Sequence, residues 1–480
     1  MPAIPPYHIL LRNGTVLVHE GARVRPLRGH DVLIEGNTIK KIGQGLELPP
    51  GGKVVDCTRK IISPGFVDTH HHLWQTQMKG RHGNETLTEY LATGNMQSFN
   101  FRPDDIFWGQ LTGCLQSIDG GVTTVVDHAH LSYSPEHVDE AIRASVSSGI
   151  RTVFCYSAIP RIKNWSSKIE FEEELVPSWW LPTLERLAKA EPFGNGRVNL
   201  GAAIDFLFPQ AVTVNLWKKS QALNLRFFTC HYVPNVMPIN VVEILSDNNL
   251  LGPNVVLSHA NGVCDTNAQK IVENNVFVSA TPDTELQMGL GDVVAFQPNL
   301  KNNTSLGVDC HSNNSADLLT QMRLAVQHSR AQDHLRAIEN KEHCRVDITL
   351  EDAFNLGTIQ GAKAINMDDQ IGSLAEGKRA DIVVFDTTTP AMVCAAEEDP
   401  INAILLHAGV RDIDMVIVDG QLKKENGRLC PVEILDRLDS ETGAETGWDD
   451  IVKQLLESRQ RILDRSSGQD IAAAMALFSH

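Results

Sequence analysis

The chain has no Cys-x-x-Cys pair, no basic excess and no apolar run approaching the ~20 residues that a membrane span needs. Its nine cysteines (57, 114, 155, 230, 264, 310, 344, 394 and 430) are scattered and odd in number. That excludes a disulfide framework and a zinc-finger pattern, and it points to a reducing, cytoplasmic setting. Lys and Arg total 42 against 59 Asp and Glu, a net charge of −17, so neither nucleic acid nor a membrane surface is an expected partner. The start, Met1-Pro-Ala-Ile-Pro-Pro6, lacks a basic stretch followed by an apolar one, so no secretory signal is expected. The terminal Phe-Ser-His matches no lipidation motif. Repeats and low-complexity tracts are also missing. Hydrophobic residues at 42% and charged residues at 21% are globular values, which excludes wholesale disorder and fits a soluble protein acting on a small molecule. What stands out is histidine, with 18 copies. It is the commonest metal ligand and titrates near neutrality.

Residues 8–62 read as short strands separated by the turn signals Asn13-Gly14 and Gly36-Asn37. A similar texture returns at 381–385 and 415–422, so both chain ends read as one small β domain split by a long insertion. The insertion alternates apolar runs with helical segments. The runs are 62–68, 121–127, 151–155, 197–204, 225–230, 254–258, 276–280 and 305–309. Helices are expected at 104–118, 135–148, 180–190, 240–248, 266–274, 316–330 and 350–365, with a compact one between the fourth and fifth runs. Eight strands alternating with helices predict a closed α/β barrel. The expected division is 1–62 and 366–430 as the β domain, 63–365 as the barrel and 431–480 as a helical tail. An amphipathic helix is predicted over 447–464, with Ile451/Leu455 and Val452/Leu456 at i, i+4. The apolar stretch 471–478 is expected to pack on its own domain or on a partner subunit; the sharper reading makes it a plug near the active site.

Barrel active sites sit at the C-terminal ends of the strands. Asp68-Thr-His-His-His72 follows the first run, His128 and His130 the second, His231 the fifth and His259 the sixth; Asp309 ends the eighth and His311 follows. Residues i and i+2 of a strand share a face, so His70 and His72 can converge on one ion while His71 points elsewhere. With His231 and Asp309 they would form an N3O shell that suits Zn and also accepts Fe or Mn. A catalytic metal lowers the pKa of a water to about 7.

The motifs Pro64-Gly-Phe-Val-Asp-Thr-His-His-His72, Gly121-Val-Thr-Thr-Val-Val-Asp127 and Leu306-Gly-Val-Asp-Cys-His-Ser-Asn313 resemble the amidohydrolase superfamily, specifically its deaminase and chlorohydrolase branch. Thr358-Ile-Gln-Gly-Ala-Lys-Ala364 and the segment Ile371–Ile382 extend the resemblance over about residues 8 to 425. It implies a distorted (β/α)8 TIM barrel with a small β-sandwich built from both chain ends. It implies His70, His72, His231 and Asp309 as metal ligands, His259 facing the site, and a homodimer or larger homo-oligomer. Binuclear members carry a carboxylated Lys at the end of the fourth strand; here that run ends Ile204-Asp205, and Lys218 and Lys219 lie downstream, so one metal is expected.

One departure bears on the reaction. Deaminases of this branch carry His-x-x-Glu after the fifth strand, and here the run is His231-Tyr-Val-Pro234. Proline transfers no proton, so His311, His130 and His71 are the candidate substitutes. Asp309, His259 and His311 are the expected catalytic residues, and Trp74, Gln77, His128, His130 and His259 the expected substrate contacts. His71 and Cys310 read as packed structural groups, and Asp127 as an orienting or turn-capping carboxylate. The expected function is hydrolysis of a C–N bond (amide, lactam or amidine) in a small, cyclic molecule by a metal-activated water. The alternatives are an aminohydrolase or chlorohydrolase on a purine, pterin or triazine-like ring, and a catalytically silent ligand-binding descendant.

Overall fold

The structure, a computed structural model, describes residues 7–440 and 442–478; Met1–Pro6 and the last two residues of the Phe-Ser-His motif lie outside the described residues. Eight strands follow one another in chain order around one sheet: Phe66–His71, Val122–Ala129, Arg151–Ser157, Val198–Ala203, Phe228–Tyr232, Val255–His259, Phe277–Ala280 and Thr304–Leu306. A parallel bridge between His71 and Asp309 joins the last strand to the first. There the Asp309 N–H donates to the His70 carbonyl at 2.8 Å and the His72 N–H to the Asp309 carbonyl at 3.0 Å. The sheet is therefore a nearly closed barrel, with each expected run supplying a strand. Its strands read as continuous apolar runs because both faces are covered; every residue of Val122–Ala129 is buried.

The intervening helices have local causes. Pro135–Ser148 starts with Pro in its first turn after Ser134 and stops at Gly149, whose φ of 77° ends the helix in the left-handed conformation. The other outer helices are Pro103–Asp119, Trp180–Ala190, Gln210–Gln221, Val241–Asp247 and Asp265–Glu273.

Both chain ends share a second sheet. Its order is Arg428–Leu429, Gln421–Glu425, Ile413–Val418, Ile382–Asp386, Lys60–Pro64, His8–Glu20, Arg23–Glu35 and Thr38–Gly43, with Lys53–Asp56 pairing parallel to His8–Glu20. Bulges around Gly14 bend the long first strand. Ile9, Leu11, Val32, Ile382 and Ile417 share one core in its fold. By compactness the chain forms two units: one takes the residues up to Asp68, Ser117–Thr124 and Asp317–Cys430, and the other Thr69–Gln116, Val125–Ala316 and the chain from Pro431.

Three sequence expectations need correction. The run 62–68 is not one strand: Lys60–Pro64 belongs to the second sheet and Phe66–His71 to the barrel. The chain changes sheets at Gly65, where a Cβ would lie 2.1 Å from Thr123 Oγ1, so only glycine allows the approach. The helix expected at 350–365 is two, Leu350–Leu356 and Ile359–Ala364, because Thr358 leaves helical geometry (φ −129°, ψ −98°). The helix expected at 316–330 runs as Leu318–Glu339. After the third barrel strand the chain forms a hairpin, Ile162–Trp165 with Ile169–Phe171.

His19 makes the second sheet acid-sensitive. Its ring stacks on Phe354 at 6.1 Å, and Nε2 lies 3.1 Å from Asn355 Oδ1. Burial lowers its pKa to about 4. The folded state thus binds its proton less readily than the unfolded chain. The stability this contributes is present above pH 6.5 and is lost as pH falls towards 4, by at most about 3 kcal/mol. We expect His19→Phe to shrink the stability difference between pH 7 and pH 5 in urea unfolding; an undiminished difference would contradict this.

Candidate active site

The strand ends bring together the side chains expected as ligands. His70 Nε2 and His72 Nε2 each lie 3.1 Å from Asp309 Oδ1, and His231 Nε2 lies 3.3 Å from His72 Nε2. The His259 ring centroid is 5.3 Å from that of His70 and 5.6 Å from that of His231. His70, His231, His259 and Asp309 form one group with metal-ligand spacing.

Each ring is anchored through its other nitrogen. His70 Nδ1 meets Ser258 Oγ at 2.7 Å, His72 Nδ1 the His128 carbonyl at 2.8 Å, His231 Nδ1 Asp205 Oδ1 at 3.1 Å and His259 Nδ1 Thr281 Oγ1 at 2.9 Å. Such partners fix ring orientation and tautomer. For His72 and His231 the tautomer follows from chemistry. Each Nδ1 faces an oxygen acceptor and must donate, so each Nε2 carries a lone pair. Two lone pairs at 3.3 Å, beside a carboxylate oxygen, repel unless a cation lies between them. The donor set therefore fits a divalent metal. Burial of the His231 ring is outweighed by the Asp205 and Asp309 charges, which raise its pKa.

Backbone strain marks the same strand ends. His259, Ala260 and Asp309 have φ of 79°, 62° and 67°, a region disfavoured for non-glycine residues and common at functional sites. Burial pulls the Asp309 carboxyl upward, but the surrounding His70, His72 and His259 rings hold it well below the usual range, so it is ionised at neutral pH.

Asp205, at the end of the fourth run, is a site residue that the expected set lacks. It accepts from the His231 backbone N–H at 2.8 Å as well as from its ring, and from His128 Nε2 at 3.0 Å. His128 thus sits behind His231, the rings tilted with centroids 4.3 Å apart, and burial lowers its pKa to about 4. The signal for Asp205 was the rule that found the others, a polar side chain ending a barrel strand.

His311 turns away from the cluster. Its Nδ1 meets His71 Nε2 at 2.7 Å and its Nε2 meets Thr76 Oγ1 at 3.0 Å, while Thr76 donates to the Gly109 carbonyl at 2.8 Å. Thr76 must accept from His311, so His71 donates to His311 and both rings are committed to this chain. Gly109 and Gly113 permit it: a Cβ on either would lie within 2.4 Å of the Trp74 or Leu73 carbonyl oxygen. Gln77 is buried elsewhere, donating to the Asp105 carbonyl at 2.7 Å and to Ser458 Oγ at 3.1 Å. Trp74 packs edge-on against Phe101 and His130 at 5.0 and 5.6 Å. Neither Trp74 nor Gln77 lines the cavity described next. Asp127 accepts from the Leu73 N–H at 3.3 Å and from Gln110 at 2.6 Å, and Cys310 is a buried thiol 3.1 Å from the Tyr90 hydroxyl.

A cavity of about 540 Å³ is lined by His72, His130, Asp205, His231, His259 and Asp309 together with Tyr90, Val233, Met288 and other apolar groups. His130 lies on His72 with ring centroids 3.9 Å apart, and neither of its buried ring nitrogens has a hydrogen-bond partner among the described residues. It is the histidine of the three candidate substitutes for the missing Glu that faces the cavity. Lys218 and Lys219 are exposed on the helix Gln210–Gln221.

Comparison with known proteins agrees with this geometry. A match to the amidohydrolase family covers residues 61–207 and 220–423. The 5'-deoxyadenosine deaminase of Methanobrevibacter smithii is 25% identical over 443 residues, covering 88% of this chain and 95% of that one. The 5-methylthioadenosine/S-adenosylhomocysteine deaminase of Thermococcus sibiricus is 27% identical over 441 residues, 86% of this chain and 93% of that one. Among solved structures, the zinc complex of atrazine chlorohydrolase from Arthrobacter aurescens superposes with a TM-score of 0.74 at 20% identity, covering 94% of this chain and all of the other. An adenosine deaminase from Xanthomonas campestris with bound zinc gives 0.75 at 18% identity, covering 96% and 99%.

Proposed function

Because the chain belongs to the amidohydrolase family, we propose that its histidine–carboxylate cluster binds one divalent ion, zinc first, and hydrolyses a C–N bond in a small cyclic molecule. The supporting observation is the convergence of His70, His72, His231 and Asp309, with each ring anchored through its second nitrogen. A bound divalent cation supplies Lewis acidity and lowers the pKa of water. Asp309, ionised and held by His70 and His72, removes a proton from the attacking water and returns it to the leaving nitrogen. His259, anchored on Thr281, presents Nε2 to the substrate atom that gains negative charge. His130 offers hydrogen bonds to the substrate ring in place of the acid that Pro234 cannot supply. Asp205 holds His231 in its ligating tautomer. Water adds to an sp² carbon, and the nitrogen leaves as amine or ammonia.

The named activities of the relatives favour a second reading, removal of an amino group from a heteroaromatic ring. The absence of lysine from the site supports a single metal. Scattered thiols, all nine unpaired in the structure, support a cytoplasmic setting. Among the described residues no helix is long and apolar enough to cross a membrane. A homodimer or larger homo-oligomer, and the division into a 63–365 barrel and a β domain of 1–62 with 366–430, belong to the same proposal.

The test is metal analysis combined with a screen detecting both ammonia and new carboxylate across purines, pterins, triazines and cyclic amides. We expect one equivalent of metal per chain, loss of turnover with chelator and its return with zinc. A metal-free chain with no turnover anywhere would instead favour a ligand-binding descendant.

A further inference from the structure

The histidine–carboxylate cluster lines a cavity much larger than a single heterocycle, and most of the remaining wall is apolar, with Asn95, Ser98, Arg161, Glu172 and Glu174 as the polar exceptions. Four wall residues also face solvent at the rim: Phe171 (42% exposed), Leu175 (48%), Leu207 (49%) and Ile239 (37%). Apolar side chains grouped at a cavity mouth mark a surface that awaits an apolar ligand. Charge offers the ligand little. Arg161 donates to the Glu174 carbonyl at 3.2 Å and lies 3.4 Å from its carboxylate. The C-terminal stretch completes the wall. Asp470 donates its N–H to the Ser166 carbonyl at 2.8 Å, in the turn of the 162–171 hairpin, and its side chain caps the helix Ile471–Met475. Ala474 is buried against Ala92, Ile162 and Trp165, and Phe478, packed on the same cluster, reaches the cavity.

We propose that the substrate carries its reactive C–N group on a small flat head that meets the cluster, joined to a bulky apolar substituent held in an outer chamber walled by the 162–171 hairpin and the 470–478 segment. This rests on the hydrolase reading above and adds the class of substrate. The tail is then a specificity element of the site. A chamber of this kind rewards chain length, because each methylene moved from water into it adds about fourfold to affinity.

The experiment uses the zinc-loaded full chain with two homologous series, 9-alkyladenines and N-alkyl triazinediamines, from methyl to octyl. Binding is read by calorimetry and turnover by ammonia release. In at least one series affinity should rise about fourfold per methylene over the first members and flatten once the chamber fills. Phe478→Ala should lower the slope, and so should a chain ending at Ser467, both with unchanged metal content. A flat series in the unaltered protein, or a slope that neither variant changes, overturns the proposal. Graded binding without ammonia or amine release from any member overturns the substrate assignment and leaves only an apolar ligand chamber.

Discussion

Asp309→Asn should reduce turnover by about 10⁴-fold, the upper range for a positioned acid–base group, in a protein that still folds. The substitution preserves volume and one acceptor oxygen, so the strained strand end at φ 67° need not change. What it removes is charge and basicity. The Asp309 carboxylate is the negative centre on which His70 and His72 converge, both at 3.1 Å. Burial would raise its pKa, but the surrounding His70, His72 and His259 rings hold it well below the carboxylate range. It is therefore ionised through the neutral range, and loss of activity on mild acidification should come from other groups. An amide can neither accept the water's proton nor balance a dication among imidazoles. Turnover at saturating zinc, metal content and thermal melting separate the effects. A rate within tenfold of the parent, with the fold intact, would sink the assignment of Asp309 as the base.

Asp205→Asn should weaken zinc binding by about 10- to 100-fold, the usual effect of losing a group that orients a metal-ligating histidine. The Asp205 carboxylate accepts from the His231 backbone, the His231 ring and the His128 ring at 2.8, 3.1 and 3.0 Å. An amide of the same shape must turn its NH2 toward one of these donors. If it meets His231 Nδ1, that nitrogen becomes an acceptor and the proton moves to Nε2, where it blocks ligation. A swap of tautomer at a catalytic histidine has effects far beyond its hydrogen-bond energy. Zinc titration against a competing chelator is the direct measurement, with turnover at saturating zinc as the second. If affinity is unchanged, Asp205 is a packing residue and His231 needs no orienting partner.

The two variants also separate what could be read from the chain and what could not. The eight strands were legible because a strand buried on both faces is a local apolar run. The ligand candidates were legible because strand ends are the reactive edge of such a barrel, and a period of two places His70 and His72 on one side. Asp205 obeys the same rule, but a lone carboxylate at a strand end does not show which histidine it orients. Pro234 in place of an acid was visible in the sequence, but which histidine could act in its stead was not.

That choice belongs to the tertiary structure. His71 and His311 bind each other and Thr76, and a close approach allowed by Gly109 and Gly113 holds that segment in place. His130 instead lines the cavity, and its ring nitrogens have no hydrogen-bond partner among the described residues. Ring orientation depends on partners far away in sequence, as 240 residues separate His71 from His311, and no local pattern encodes it. The same holds for the switch of sheets at Gly65, the left-handed turns at His259 and Asp309, and the tail that carries Phe478 to the cavity wall. Composition and periodicity determined the barrel and the candidate metal ligands at its strand ends, because burial and strand pitch are local. Only the folded chain decided which nitrogen each ring presents and what closes the cavity, because those follow from contacts made after distant segments meet.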